Sequence, residues 1–248
     1  MDRSSLGNRM KGYESVPKNY LISRMPVIIR LDGKAFHSLT KYMDKPYDND
    51  FKKIMLDVAY YLATNIQNCK LAYVQSDEIS LLLVDYGTLE TDAWYANNIQ
   101  KMVSVSASLA TAKFNELFSK FPSDKVRAGC EMGMFDSRAF NIPREEVVNY
   151  FLWRQNDATR NSIQGLGQAN YSQKQMNGLR NDEVQEKLFT EKGINWNDTE
   201  SYFKRGGVVF RGSSQFPDGI VTHDIPIFSK DRDYIEHLVY LDEDKDNE

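Results

Sequence analysis

The alternation of apolar and polar residues predicts a strand followed by a helix near the start of the chain. Residues 27–31 (VIIRL) form a short β-branched run that stops at Asp32 and Gly33, which is typical of a buried strand ending in a turn. From Asn49 or Asp50, both of residue types that cap helices, apolar side chains recur at the spacing of one helix face. They are Phe51, Ile54, Met55, Val58, Ala59, Leu62 and Ile66.

Three further segments extend this pattern. Residues 72–84 (AYVQSDEISLLLV) predict two strands joined by a turn, and a long helix is predicted from about Asp92. The apolar side of that helix carries Ile99, Met102, Val103, Leu109, Ala110, Phe114 and Leu117. Residues 126–135 predict another strand. The order β-α-β-β-α-β is the split βαβ, ferredoxin-like pattern of an α+β fold, in which one sheet packs against two helices.

Beyond Pro143 the chain becomes helical and unusually polar. Residues 145–192 predict a helical extension, in which Ser172 followed by Gln175 is a capping-box signature. A β-rich stretch follows at residues 208–211.

Length and composition predict one large domain with an extension. The 248 residues are 41% hydrophobic, which is enough to bury a substantial core. No apolar run approaches the roughly 20 residues that span a bilayer, so no membrane association is expected. We expect a sheet-and-helix domain over residues 1–142, the helical extension with short strands over residues 143–240, and an acidic tail over residues 241–248.

The distribution of charge limits the kinds of partner that the chain is expected to bind. The formal net charge of −4 argues against indiscriminate nucleic-acid binding, although the charges are unevenly distributed. Two basic groups could each hold phosphates or form a solvated surface: Arg154, Arg160, Lys174 and Arg180 in the first, and Lys204, Arg205 and Arg211 in the second.

Cys69 and Cys130 provide neither a disulfide framework nor a zinc spacing, which favours a reducing compartment, the cytoplasm. The basic first 24 residues weakly resemble an organellar transit peptide, but they also contain acids and Pro17.

Two adjacent carboxylates, Asp77 and Glu78, interrupt the apolar strand pair. A hairpin turn explains them if Ser76 and Asp77 hydrogen-bond their own backbone and Glu78 is solvated. A ligand site explains them if Asp77 faces a cleft that it shares with Asp32, its neighbour if the two strands pair in the middle of the sheet. Two converging carboxylates suit a pair of Mg²⁺ ions, because hard cations take oxygen ligands and share them with substrate phosphates.

The segment after Asp32, residues 33–38 (GKAFHS), has features of a phosphate-binding loop. Gly33 allows a close backbone approach, and the following amides can bind phosphate oxygens. Lys34 could hold a phosphate as a point charge, and His37 could contact a nucleotide or be a structural histidine. The segment is not a Walker loop, since the G-x-x-x-x-G-K pattern is absent.

Six sequence blocks, in order, resemble the tRNA-histidine guanylyltransferase family. They are RLDGKAFHSLT at residues 30–40, DKPYD at 44–48, YVQSDEIS at 73–80, FDSRAF at 135–140, YFLWRQND at 150–157 and YFKRG at 202–206. Because these blocks cover most of the chain, coincidence is a poor explanation.

The resemblance implies a polymerase-like palm that adds nucleotides to the 5′ end of tRNA, the reverse of ordinary polymerisation. It implies that ATP first adenylylates the 5′-monophosphate, after which the 3′-hydroxyl of GTP or another nucleoside triphosphate attacks and AMP leaves. It also implies a homotetramer. By motif position, Asp32, Asp77 and the carbonyl of Gly33 would bind two Mg²⁺ ions, with Glu78 supporting them.

The same matching suggests the binding residues. Nucleotide contacts are implied for Gly33, Lys34, Ala35, Phe36, His37, Lys45, Asp48, Ser76, Lys101 and Arg138. For Lys101 and Arg138 the alternatives are an exposed helix lysine and a loop arginine. RNA contacts are implied for Arg154, Asp157, Asn161 and Arg205, to which the first basic group adds Arg160 and Lys174.

Three positions depart from the family pattern. The family pattern W-R-Q-x-D-x-H-x-N-N matches residues 153–162 (WRQNDATRNS), where Thr159 replaces the histidine and Ser162 replaces the second asparagine. In the block FDSRAF, Ser137 stands where a glycine is usual. These departures favour the branch of the family associated with template-dependent repair of 5′-truncated tRNA. The alternative is a guanylyltransferase specific for histidine tRNA.

Two other functions share part of this pattern. A palm-type nucleotide cyclase or signalling-nucleotide synthase would have the two aspartates and the fold, but it gives no reason for WRQND and YFKRG. A non-catalytic RNA-binding module would keep only the shape, and the intact Asp32 and Asp77 argue against it.

Overall fold

A computed structural model of the protein describes residues 4–129, 132–211, 220–222 and 224–241, so the acidic tail predicted at residues 241–248 lies almost wholly outside the described residues. The strands are β1 (Val27–Gly33), β2 (Cys69–Gln75), β3 (Glu78–Leu83), β4 (Phe135–Asn141), β5 (Gly207–Phe210) and β6 (Ile220–Thr222). They form one antiparallel sheet in the order β4-β1-β3-β2-β5-β6. The first four strands therefore have the ferredoxin-like order that the sequence predicts, and β5 is the predicted β-rich stretch.

The described helices surround this sheet. They are α1 (Ser5–Ser15), α2 (Phe36–Leu39), α3 (Asn49–Asn65), α4 (Ile99–Phe118), α5 (Asp124–Gly129), α6 (Arg144–Asn170), α7 (Gln173–Met176), α8 (Asn181–Lys192), α9 (Ser201–Arg205) and α10 (Asp233–Glu236). Helices α3 and α4 share an apolar core with one face of the sheet, and α6 shares a second core with the opposite face. Over the residues described, none of these helices has the length and apolar character needed to cross a membrane.

The N-termini of α3 and α4 are set by side-chain caps. Asp48 caps α3, since its carboxylate accepts a hydrogen bond from the Phe51 N–H at 2.9 Å. The cap is thus one residue before the Asn49 or Asp50 predicted from the sequence. Helix α4 is capped by Asn98 and begins well after Asp92, because residues 95–97 have left-handed backbone angles that an α-helix cannot include.

The strand predicted over residues 126–135 is wrong. Val126 lies in α5, which starts at a turn where the Ser123 carbonyl accepts from the Arg127 N–H at 3.1 Å. The strand itself is β4, which begins at Phe135 and pairs with β1 along its length. Because β4 is an edge strand, it keeps polar and half-exposed side chains that an apolar pattern does not detect.

The helical extension agrees with the sequence pattern. Helix α6 continues through both Gly165 and Gly167, and Gly167 allows close packing against Val184 of α8. The predicted capping box is present at α7, where the Ser172 N–H donates to Gln175 Oε1 at 3.0 Å. A third apolar cluster holds α6, α7 and α8 together.

Candidate active site

The two aspartates approach each other at one end of the central strands β1 and β3. Asp32 is the cross-strand partner of Glu78, and Asp77 occupies the turn that precedes β3. The Gly33 N–H donates to the Asp77 carbonyl oxygen at 3.1 Å, which links the two segments directly. The expectation that Asp32 and Asp77 would be neighbours is therefore confirmed by the strand pairing.

The environment of Asp77 favours a bound cation. Burial raises the pKa of the Asp77 carboxyl, and the nearby carboxylates of Asp32 and Glu78 raise it further, while hydrogen bonds from its own backbone and from Ser76 oppose the shift. Carboxylate oxygens such as those of Asp32 and Asp77, and a backbone carbonyl such as that of Gly33, are the hard donors that Mg²⁺ takes. Within the described ranges, no group of three or more His, Cys, Asp or Glu side chains converges on a common metal position. The set of donors fits Mg²⁺ if substrate oxygens and water complete the coordination.

The carboxylate of Glu78 forms an ion pair with α6. Arg154 of α6 donates from Nη1 to Glu78 Oε2 at 2.7 Å, and its Nη2 lies 3.1 Å from Asp157 Oδ2. Arg154 is only 5% exposed. The hairpin turn at Ser76 and Asp77 is present, and Asp77 hydrogen-bonds its own backbone, but the expectation that Glu78 is solvated is wrong. An exposed RNA-binding position for Arg154 is wrong as well, because its guanidinium is enclosed between the sheet and α6.

A cavity of about 470 Å³ opens beside these carboxylates, a volume within the usual range for small-molecule sites. Its lining combines the carboxylate end of the sheet with residues of α3, α6 and α9. The lining residues are Arg30, Asp32, Pro46, Tyr47, Asp48, Phe51, Lys52, Gln75, Ser76, Asp77, Glu78, Arg154, Asp157, Ala158, Asn161, Ser162, Gly165, Tyr202, Phe203 and Gly206. The rings of Tyr47 and Phe203 stack at 4.5 Å between centroids, so the cavity has an acidic end and an aromatic wall.

The predicted phosphate loop, residues 33–38, does not line this cavity. Phe36 is buried in the core against Phe114 and Phe135, so its side chain cannot contact a nucleotide. A Cβ at Gly33 would come within 2.6 Å of the Phe36 ring, which gives this glycine a packing role. The Lys34 N–H is already bonded to the Met134 carbonyl at 2.8 Å.

The side chains of Lys34 and His37, together with Ala35, are exposed on the surface of that loop. They therefore stay candidates for nucleotide contacts.

The remaining nucleotide candidates are dispersed. Ser76 and Asp48 line the cavity, although Asp48 also caps α3. Lys45 is exposed just before the cavity residue Pro46. The exposed Lys101 and Arg138 lie outside the cavity: Lys101 Nζ is 5.8 Å from the Tyr95 ring centroid, and Arg138 forms an ion pair with Asp136 at 3.4 Å.

The RNA candidates fall into three environments. Asp157 and Asn161 line the cavity, whereas Arg160 and Lys174 are exposed on α6 and α7. Arg160 is ion-paired to Asp157. Arg205 is half-buried and is held internally, since its Nη2 donates to Ser201 Oγ at 2.7 Å and its Nε donates to the Ile225 carbonyl at 3.2 Å. Arg160 and Lys174 are therefore in open positions and Arg205 is not, and RNA contact at these residues stays a prediction.

Sequence reasoning missed the residues that give the cavity its shape. Arg30, Tyr47, Lys52, Tyr202 and Phe203 all line it. For Arg30 a signal was available, because it is two residues from Asp32 on one strand and must share its face. The aromatic wall had a weaker signal, since Tyr47 and Phe203 lie in blocks DKPYD and YFKRG, which are distant in sequence.

The three departures from the family pattern form contacts within the fold. Thr159 Oγ1 donates to the Lys204 carbonyl at 3.1 Å. Ser162 Oγ lies 2.9 Å from the Tyr47 hydroxyl and accepts from Trp196 Nε1 at 3.1 Å. The Ser137 hydroxyl lies 2.7 Å from that of Ser106 on α4.

Comparisons with known proteins agree on one family. A family model described as tRNAHis guanylyltransferase matches residues 7–143. The tRNA(His) guanylyltransferase of Saccharomyces cerevisiae is 30% identical over 200 residues, which cover 75% of this chain and 82% of the yeast protein. A bacterial tRNA(HIS) guanylyltransferase (Thg1)-like protein in complex with ATP is 49% identical with a TM-score of 0.88, and covers 96% of this chain and 100% of its own. A bacterial protein of the same description in complex with GTP is 44% identical with a TM-score of 0.83, at the same coverage.

Proposed function

Because this chain belongs to the tRNAHis guanylyltransferase family, we propose that it is a nucleotidyltransferase that adds nucleotides in the 3′–5′ direction to the 5′ end of tRNA. The observation that carries the proposal is the approach of Asp32 and Asp77 at the edge of a nucleotide-sized cavity. The bacterial relatives in complex with ATP and GTP, at 49% and 44% identity, support nucleoside triphosphates as substrates.

Asp32, Asp77 and the carbonyl of Gly33 would hold two Mg²⁺ ions. When bound, Mg²⁺ supplies neutralisation of phosphate charge and activation of the attacking hydroxyl group. The residues of this chain have the complementary tasks of binding and orientation. Lys34 and Ser76 are suited to the triphosphate, because one is an exposed cation and the other is a cavity hydroxyl next to Asp77.

The reaction would proceed in two steps without a protein nucleophile. The 5′-monophosphate of the tRNA attacks the α-phosphorus of ATP and releases pyrophosphate, which leaves an adenylylated 5′ end. The 3′-hydroxyl of the incoming nucleoside triphosphate then attacks the 5′-phosphorus of the tRNA and releases AMP. Exposed Arg160 and Lys174 would bind the RNA backbone, and Asn161 would face its end in the cavity.

We also propose that the substrate is a 5′-truncated tRNA whose opposite strand acts as template. Thr159 and Ser162 stand where histidine-tRNA enzymes have other residues, and both side chains are bonded within the fold. Selection by base pairing then provides discrimination that a protein pocket alone would lack. A homotetramer and a cytoplasmic location are further parts of the proposal that follow from the family resemblance.

The experiment uses a 5′-labelled tRNA that lacks its first nucleotide, with ATP, Mg²⁺ and all four nucleoside triphosphates. Two templates that differ only at the position opposite the missing nucleotide are compared. The expected result is guanosine opposite cytidine and a different nucleotide when that cytidine is changed. Addition of guanosine regardless of template, and only to histidine tRNA, would establish the guanylyltransferase alternative instead.

A further inference from the structure

Trp153 is an exposed aromatic residue beside arginine side chains. It lies on α6 and is 53% exposed, although the next residue, Arg154, is only 5% exposed. The guanidinium carbon of Arg154 lies 3.7 Å from the centroid of the indole ring, so it covers one side of the ring. Because more than half of Trp153 is exposed, the ring is open to solvent on its other side and offers a flat apolar surface there.

Arg30 and Arg138 form a like-charged pair on the sheet face toward α6. They are cross-strand partners in β1 and β4, and directly opposed residues of an antiparallel pair share one face of the sheet. That face also carries Ile28, which packs in the core that α6 completes. The guanidinium carbon of Arg30 lies 5.9 Å from the centroid of the Trp153 ring. Opposed like charges destabilise a strand pair, so an anion bound at this pair would relieve their repulsion.

Both arginines keep hydrogen-bond donors for such an anion. Arg30 Nε is buried, and nothing in the described part of the chain accepts a hydrogen bond from it. Arg138 is bonded to Asp136 at 3.4 Å, but both side chains are about half exposed, and an ion pair of this kind contributes little stability. Since an arginine has five N–H donors and no acceptor, these contacts leave both guanidinium groups available to phosphate oxygens.

This group of side chains lies next to the proposed reaction centre. Arg30 precedes Asp32 by two residues, so both lie on the same face of β1, and both line the cavity. A tRNA that lacks its first 5′ nucleotide has an unpaired nucleotide opposite the reacting end. Proteins bind unpaired nucleotides by stacking the bases on aromatic rings and by holding the backbone with cations. Trp153, Arg30 and Arg138 provide this combination.

We propose that Trp153 stacks on the unpaired template base of the tRNA, and that Arg30 and Arg138 bind the neighbouring phosphates. The inference rests on the proposed function, because it takes this base to lie opposite the 5′ end that reacts at Asp32 and Asp77. It assigns Arg138 to the RNA backbone rather than to the triphosphate. It also makes Trp153 a specificity-determining residue, since a template base that is held in place selects the incoming nucleotide by pairing.

The test measures the binding of two tRNAs that lack the first 5′ nucleotide. One has a normal nucleotide at the template position, and the other has an abasic nucleotide there. Trp153→Ala is expected to weaken binding of the first tRNA by about tenfold, because stacking on the base is lost. Binding of the abasic tRNA should be unchanged by this substitution, because it has no base to stack. Equal weakening on both tRNAs would overturn the stacking role.

Trp153→Phe keeps an aromatic ring and should bind both tRNAs nearly as the wild type does. If Trp153→Ala does not fold, Trp153→Leu replaces it, since leucine keeps apolar volume but has no ring face. Wild-type affinity of Trp153→Leu for the normal tRNA would overturn the inference. Phe189→Ala is the matched control, because Phe189 is a 59% exposed aromatic residue on α8, and it should leave both affinities unchanged.

Two further measurements address the template and the phosphates. The ratio of template-matched to mismatched nucleotide addition should fall by on the order of tenfold in Trp153→Ala, because the template base is less well held. Arg138→Gln should reduce the slope of log K against log salt concentration by about 0.7, the value for one phosphate contact on a single strand. An unchanged slope would overturn the phosphate role of Arg138.

Binding of ATP without RNA distinguishes the template base from the base of a nucleoside triphosphate. Trp153→Ala should bind ATP as the wild type does, and a loss of ATP affinity would assign the ring to the triphosphate and overturn the template assignment. Templated addition by the wild type, with equal effects of Trp153→Ala on both tRNAs, would overturn this inference and leave the proposed function standing. No addition by the wild type, with weakening confined to the tRNA that has the template base, would overturn the proposed function and keep the stacking surface.

Discussion

The main-chain N–H of Gly33 bonds to the main-chain carbonyl of Asp77, so the two aspartate segments are joined by backbone as well as by strand pairing. Shortening either aspartate side chain leaves this connection in place. Loss of function at these two positions can therefore be separated from loss of structure.

Asp32→Ala or Asp77→Ala should lower nucleotide addition by on the order of a thousandfold or more, because each removes a shared metal ligand. Thermal unfolding should show a folded protein in both cases. The measurement is single-turnover addition to a labelled, 5′-truncated tRNA. Near-wild-type turnover of both variants in Mg²⁺ would contradict the assignment of the site.

Glu78→Ala should reduce nucleotide addition less than the aspartate substitutions but should reduce stability more. Its removal leaves the buried guanidinium of Arg154 without one of its two partners, and breaking a buried ion pair typically costs about 3 kcal/mol of unfolding free energy. Denaturant unfolding measures this loss. An unfolding free energy equal to that of Asp32→Ala would show that the ion pair adds no stability.

Arg160→Gln combined with Lys174→Gln should weaken tRNA binding and flatten its salt dependence. Two lost phosphate contacts should reduce the slope of log K against log salt concentration by about 1.5, since fewer counterions are released. Arg154, which the basic pattern groups with them, is excluded because it is buried. The exposed Lys120, beyond the end of α4, provides a control as Lys120→Gln. An unchanged slope would assign Arg160 and Lys174 to an ordinary solvated surface.

The thiol of Cys69 should be unreactive in the native protein. Burial raises its pKa to about 12, so the thiolate that reacts with alkylating agents is almost absent at pH 8. A raised pKa means that the stabilisation from the neutral thiol is complete below the unfolded-state pKa of roughly 8.5 and is lost as the pH rises towards 12. Peptide-level mass spectrometry after iodoacetamide treatment measures the reaction at Cys69. Equal alkylation of native and unfolded protein would contradict this picture.

The elements that could be predicted from sequence are those whose periodicity reflects burial on one face. Strand β1 and helix α3 could be predicted directly from the spacing of apolar residues. The approach of Asp32 and Asp77 could be predicted from the expected pairing of β1 with β3. Strand β4 could not be found in this way, because its residues from Asp136 onward are exposed or half-exposed at the sheet edge.

The roles of Arg154 and Phe36 could not be read from local sequence, because burial of each depends on a distant partner. Arg154 looks like an ordinary helix cation until α6 is laid across the sheet and Glu78 is opposite it. Phe36 looks like part of a nucleotide loop until Phe114 and Phe135 surround its ring. Electrostatic and aromatic contacts between separate elements are tertiary information, which periodicity does not contain.

The second apolar core, which α6 completes, makes the two predicted domains interdependent. Ile28 and Leu82 of the sheet pack with Val147 and Phe151 of α6, and all four side chains are fully buried. We expect β1 and α6 to exchange their amide protons through one cooperative opening, with similar protection. A fragment ending at residue 142 would expose this sheet face to water and self-associate, so the sheet that carries Asp32 and Asp77 is not a module that can be transplanted without its extension.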